Sequence, residues 1–324
     1  MRLLAKYREP VLTRSIFELA VTLTPFLALW LLAAWALSIS PWLALALALV
    51  NSAFLVRLFM IQHDCGHGSF FKNRSMNDWT GRAIGILTLT PYDVWRYNHA
   101  IHHASTGNLD RRGTGDVPTL TVREYLQKGR LGRFGYRLVR NPVFLFGIVP
   151  FYIFFLEYRI PRGLMRSGSR FWISAMGTNV ALVLLLGVAV WLAGASVLLF
   201  VFLPTTLAAA SVGMWLFYVQ HQFEDTSWNR EEQWDVHAAA LHGSSYYKLP
   251  QILRWVTADI GIHHVHHLAS RIPFYRLQEV LRDHGALEDC QQLTLFESLR
   301  CARLHLWDED GRRLLSFPEA RRLA

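Results

Sequence analysis

The chain has 324 residues, 52% of them hydrophobic and only 18% charged, with a formal net charge of +9. Soluble domains usually carry about 25% charged residues, and here the deficit is concentrated: residues 19–56 and 171–220 contain no charged side chain. This excludes an ordinary soluble globular protein. The lack of a basic stripe interleaved with aromatics gives no reason to expect a nucleic-acid partner.

As straight helices the two charge-free stretches would run roughly 57 and 75 Å, against a hydrocarbon core of about 30 Å. Each fits two spans. Turns are available at Ser38-Ile39-Ser40-Pro41 and at Gly194-Ala195-Ser196. The predicted transmembrane helices are therefore 16–38, 41–62, 171–193 and 197–220. Between the pairs, 63–170 is expected to hold an interfacial helix over 78–92. It also holds a charge-free run, 142–156, that Pro150 breaks and that is too short to span. That run is expected to lie along the interface or pack under the site. The last segment, 221–324, ends in a tail that carries no motif after about residue 280. The whole, 1–324, reads as one domain: an all-α integral membrane protein with four transmembrane helices in two hairpins and a cytoplasmic helical cap.

Orientation follows from the basic residues, which accumulate on the cytoplasmic side. Of 33 Lys and Arg, four precede the first span, 16 lie within 63–170 and 12 follow residue 221. The remaining one, Arg57, is expected to snorkel outward from the end of the second span. Both termini and the cap thus face the cytoplasm. The first apolar run has the length of a retained span rather than of a cleaved signal. Cys65, Cys290 and Cys301 form no CxxC pair and are expected to be free thiols.

Histidines cluster just beyond the spans. The clusters are His63-Asp64-Cys65-Gly66-His67, His99-Ala100-Ile101-His102-His103, a lone His221 and His263-His264-Val265-His266-His267. Neutral imidazole suits first-row transition metals. On a helix, His63 and His67 (i, i+4) share a face, as do His99, His102 and His103, and again His263, His266 and His267. Cys65 turns off the face of its neighbours and is not expected to be a ligand. His221 ends a span on the same membrane side and joins the set. Nine imidazoles exceed the three or four protein ligands usual for one zinc and suit two ions. His264 points about 100° away from His263 and is expected to pack or to orient a neighbour. Metal-bound imidazoles usually donate their other N–H to a carboxylate or carbonyl. Asp259, one turn before His263 on a continuing helix, and Asp64 are the leading candidates, with Asp93, Glu224 and Asp225 behind them. His237, His242, His284 and His305 lack such spacing and are read as structural.

HDCGH, HAIHH and HHVHH in this order, interrupted by a second apolar pair, resemble the boxes of the membrane fatty acid desaturases, especially the acyl-lipid branch of bacteria and plants. The intervening Thr106-Gly107-Asn108-Leu109-Asp110-Arg111-Arg112-Gly113-Thr114-Gly115-Asp116, Gly243-Ser244-Ser245-Tyr246-Tyr247 and Ile272-Pro273-Phe274-Tyr275 are similar too, so the resemblance runs from about residue 50 to 280. It implies a di-iron centre held by the nine histidines, His63, His67, His99, His102, His103, His221, His263, His266 and His267. It further implies O₂ as co-substrate, a cis double bond in a membrane-lipid acyl chain, and no separate catalytic acid, base or nucleophile. The chain lacks the HPGG motif of a fused cytochrome b5 domain, which implies an external ferredoxin- or flavodoxin-like electron donor. The alternatives are a related di-iron hydroxylase or ketolase, or a metal transporter or sensor. The last is disfavoured because transporters place ionisable residues near the bilayer midplane.

Overall fold

The computed structural model describes residues 3–323. The chain is mostly helical, and four helices are long and apolar enough to cross a membrane: α1 (Leu12–Ala36), α2 (Pro41–His67), and two later helices, Ser169–Ala193 and Leu198–His221. Their bounds lie within five residues of the predicted ones. Pro41 opens α2, where the missing N–H costs nothing. Gly68 closes it at φ +68°, with Ser69 N–H donating to Asp64 O at 3.0 Å. The first histidine box is therefore the last turn of a membrane helix.

After α2 come α3 (Arg74–Leu87) and α4 (Tyr92–Ser105). The expected interfacial helix over 78–92 is interrupted: Thr88–Pro91 leave the helix, with Leu89 at φ +58°. This break lets α4 set off in its own direction carrying the second box. Two short helices follow, α5 (Val122–Gln127) and α6 (Arg130–Val139). On α6, Tyr136 is buried while Leu131, Phe134 and Leu138 are exposed. A bend of 61° joins α6 to the apolar run over 144–159, part of it π-helical. The remaining helices that matter for the site are α7 (Ser169–Ala193), α8 (Leu198–His221, whose first turn is π-helical), α9 (Val236–His242), α10 (Gln251–Val256) and α11 (His263–Leu268).

The expectation of an all-α chain needs correction. Five short strands form two small sheets: β1 (Leu120–Thr121) pairs parallel with β4 (Leu306–Asp308), which pairs antiparallel with β5 (Arg313–Leu315). β2 (Tyr246–Lys248) pairs parallel with β3 (Gln292–Thr294). Runs of two or three residues are too short to show the alternation by which a strand is read from sequence. Through them the tail, silent in sequence, is tied to the segments that carry the boxes.

Arg57 also departs from expectation. It does not snorkel; its side chain is 2% exposed and paired with Glu18, itself 2% exposed. Residue 18 precedes the turn at 37–40 by about as many residues as 57 follows it, so antiparallel packing of α1 on α2 brings the two level. Arg57 Nε donates to Thr22 Oγ1 at 3.1 Å, and another N–H donates to Trp255 O. The Trp255 ring lies 4.2 Å from the guanidinium. Arg57 thus pins α10 to the spans. Arg140, fully buried, does the same elsewhere: it donates to Pro118 O (3.2 Å), Tyr218 OH (3.1 Å), Gln222 Oε1 (2.9 Å) and Leu304 O (2.8 Å).

Removing one partner of a buried pair strands the other's charge, at roughly 3–5 kcal/mol. Glu18→Ala is therefore expected to lower the thermal unfolding midpoint of the detergent-solubilised protein strongly. The double variant Glu18→Leu/Arg57→Met should lose less than Glu18→Ala alone; a larger loss in the double variant would show that the pair stabilises by more than mutual neutralisation.

Candidate metal centre

The C-terminal ends of α2 and α8 bring His63, His67 and His221 beside α4 and α11, which carry the two HxxHH boxes. The imidazoles gather into two groups. His63, His67, His99, His103 and His266 form one, and His102, His221, His263 and His267 the other; within each, one ring nitrogen per residue lies within 4.8 Å of all the rest. In the four-histidine group Nε2 faces Nε2: His102 to His221 at 3.2 Å, His221 to His263 at 3.0 Å, and His263 to His267 at 3.1 Å. In the other, His67 Nε2 lies 3.0 Å from His99 Nε2, which lies 3.1 Å from His103 Nε2. The groups abut, with the rings of His103 and His267 stacked at 4.1 Å.

The division refines what spacing alone predicts. In each HxxHH box the i, i+4 pair serves one group and the third histidine crosses to the other. On α4 the pair is His99 and His103, and His102 crosses; on α11 the pair is His263 and His267, and His266 crosses. Helical geometry explains it, because i+3 and i+4 diverge by about 100° on either side of i. Each box helix therefore reaches both groups.

The donor set fits metal binding. Burial pushes His99, His103, His263, His266 and His267 well below the ordinary imidazole value, and neighbouring imidazoles push the same way. Neutral rings keep a lone pair free. Lone pairs from four or five buried and half-buried rings aimed at one point cannot all be satisfied by one another, whereas a cation at that point satisfies them together.

The outer partners differ from those expected. Asp259 is not on a helix continuing into α11: α10 stops at Val256, and Ala258 and Asp259 both sit at φ +51°. That reversal turns the Asp259 carboxylate to Arg254 (2.9 Å) and Gln278 (3.0 Å) instead. Asp64 accepts from Phe274 N–H at 2.8 Å, and its other oxygen is 3.7 Å from His63 Nδ1, too far for a hydrogen bond. His264 is fully buried, belongs to neither group, and bonds Leu287 O in the tail at 2.8 Å. Asp93 accepts from Arg82 and Arg170. Cys65 is buried, free and in neither group. The bonds to ring nitrogens come from residues not singled out: His102 Nδ1–H donates to Asp116 at 2.5 Å and His221 Nδ1–H to Gly243 O at 3.1 Å. Asp116 ends the segment 106–116, but nothing in that segment's own spacing ties it to His102.

A family profile described as fatty acid desaturase matches residues 40–296, from the start of α2 past the last box. The chain belongs to the fatty acid desaturase family. It is 42% identical over 313 residues to a Bacillus subtilis fatty acid desaturase, covering 97% of this chain and 88% of that one. It is 28% identical to an sn-1 acyl-lipid omega-3 desaturase (ferredoxin) of Synechocystis, covering 71% of this chain and 64% of the relative. To an sn-1 oleoyl-lipid 12-desaturase of Anabaena variabilis it is 26% identical, covering 75% and 69%. Within this desaturase, Trp95 stacks on His99 at 4.7 Å and 15°. The room for it comes from Gly66 in the first box, where a Cβ would lie 2.7 Å from the indole.

Gly66→Ala gains up to about 1 kcal/mol of helix propensity, but overpacking costs roughly 1–3 kcal/mol. The clash is expected to win, shifting Trp95 off His99. A changed tryptophan emission together with weaker metal retention would register it; unchanged values of both would show that the indole is not what holds His99.

Proposed function

We propose that this protein is an O₂-dependent acyl-lipid desaturase that introduces a cis double bond into a membrane-lipid acyl chain at a di-iron centre. The observation that carries this reading is the pairing of five and four convergent imidazoles at the ends of apolar helices, in a chain of the desaturase family. In it, His63, His67, His99, His103 and His266 hold one iron, and His102, His221, His263 and His267 the other. A methylene group has no acidic proton for general-base chemistry, so bound iron would supply the oxygen activation and hydrogen removal. The protein's own share is to fix nine rings by helix geometry, keep them neutral by burial, and exclude water around the acyl chain. Family membership argues against the hydroxylase or ketolase alternative.

The finer architecture belongs to the same reading. One domain, 1–324, comprises two transmembrane hairpins, with 63–170 and 221–324 forming a cytoplasmic cap that carries the boxes. Both termini lie on the cytoplasmic side of a bacterial inner membrane. The arrangement of α6 suits a helix lying on that membrane surface, with Leu131, Phe134 and Leu138 outward and Arg130, Arg133 and Arg137 flanking them. Electrons come from an external ferredoxin- or flavodoxin-like donor, a choice supported by the ferredoxin-linked names of two cyanobacterial relatives.

Expression in a host rich in saturated lipids should produce a new double bond, located by mass spectrometry of derivatised fatty acids. His103→Ala and His267→Ala are each expected to abolish it and to lower bound iron. Full iron and full activity in either variant would overturn the ligand assignment. If the basic cap steers an acidic donor, the donor-supported rate should fall steeply with ionic strength. A flat response would assign those arginines to topology and anionic lipid alone.

A further inference from the structure

Asp116 is an unusual residue for its surroundings. Its side chain is 6% exposed, and its one ion-pair partner among the described residues is His102; no Lys or Arg reaches it. Oδ1 accepts from His102 Nδ1 at 2.5 Å, while Oδ2 is buried without a hydrogen-bond partner. Burying a carboxylate so sparsely bonded is costly unless a positive charge stands nearby. On the far side of the same imidazole, His102 Nε2 points into the four-histidine group.

The loop that delivers Asp116 is shaped for that contact. Gly115 sits at φ +73°, and a Cβ there would lie 3.1 Å from Asn98 O and 3.2 Å from His102 Cβ. A side chain there would strain the left-handed backbone and press the loop away from α4. The same group has a second outer contact, from His221 Nδ1–H to Gly243 O. The five-histidine group has none: among the described residues, no hydrogen bond joins any of its imidazoles to a carboxylate or carbonyl, and His63 Nδ1 is buried without a partner, as His263 Nδ1 is in the other group.

We infer that Asp116 is a positioning residue that makes the two metal sites unequal, by fixing the His102 ring and making it a stronger donor to the metal of the four-histidine group. This rests on the reading that the two groups each hold an iron. An anionic partner on Nδ1 fixes which nitrogen carries the proton, leaves Nε2 as the lone-pair nitrogen, and raises its basicity. The two sites then differ in ligand number, five against four, and also in the carboxylate bonded directly to a ligand ring, which only the four-histidine group has; Asp64, 3.7 Å from His63 Nδ1, is beyond hydrogen-bond reach.

The test uses the purified full-length protein loaded with Fe(II), with iron counted per chain during competition by a ferrous chelator and with Mössbauer spectra of ⁵⁷Fe. The unmodified protein should give two distinct quadrupole doublets. Asp116→Ala should weaken retention of one iron of the two by ~10- to 100-fold, with one doublet shifted or lost and the other unchanged. Asp116→Asn keeps an oxygen for the Nδ1–H and should restore ring placement, so it retains the iron better than Asp116→Ala while still shifting that doublet. Gly115→Ala should give a weaker version of the Asp116→Ala effect with the carboxylate intact. Equal loss of both irons in Asp116→Asn, or two unchanged doublets and unchanged retention in Asp116→Ala, would overturn the inference. An unmodified protein that holds no iron would instead overturn the di-iron reading itself.

Discussion

Everything in this molecule depends on bringing nine imidazole nitrogens from four helices to two neighbouring points inside a buried volume. Histidine rings are awkward companions at such range. If charged they repel, and if neutral each must find a partner for its lone pair or its N–H. Burial resolves the first difficulty by disfavouring protonation, and convergence on a cation resolves the second. The helices must also hold their relative positions closely, because ring nitrogens 3.0–3.2 Å apart leave no slack.

Buried arginines supply much of that hold. Arg57 joins α1, α2 and α10, and Arg140 joins the 118–140 region to α8 and the tail. Both have several acceptors in fixed directions, for which a planar guanidinium is well suited. Each sits between a membrane helix and a segment outside it, so the two parts of the chain cannot drift independently.

Much of this was legible in the sequence because it is local. Charge-free length gives the spans, and helical periodicity gives the shared faces of the boxes. The strongest box signals are pairs at i, i+4, and those pairs do stay together in one group. What spacing could not give was non-local: that the rings from separate boxes sort into two groups, so that the i+3 histidine of each HxxHH box meets a different set from its i, i+4 pair, that Glu18 meets Arg57, and that Asp116 folds back on His102 across a turn of glycine-rich chain. Asp259 failed for a related reason. Its proposed role assumed that a helix continues, and two residues at positive φ reversed the chain just before the box. The tail was unreadable because its strands are two or three residues long and acquire meaning only from the segments they pair with.

The continuity of α2 through the first box carries a consequence for the membrane itself. Twenty-seven helical residues rise about 40 Å, more than the roughly 30 Å of a hydrocarbon core. His63 stands six residues beyond Arg57, a rise of about 9 Å. In the proposed topology, one rigid rod would link the depth of the bilayer to the height of the histidines above it. Hydrophobic mismatch would then do more than tilt a helix. A thicker or thinner bilayer would change how far an acyl chain must travel to reach the site, making membrane thickness a variable in where that chain is held.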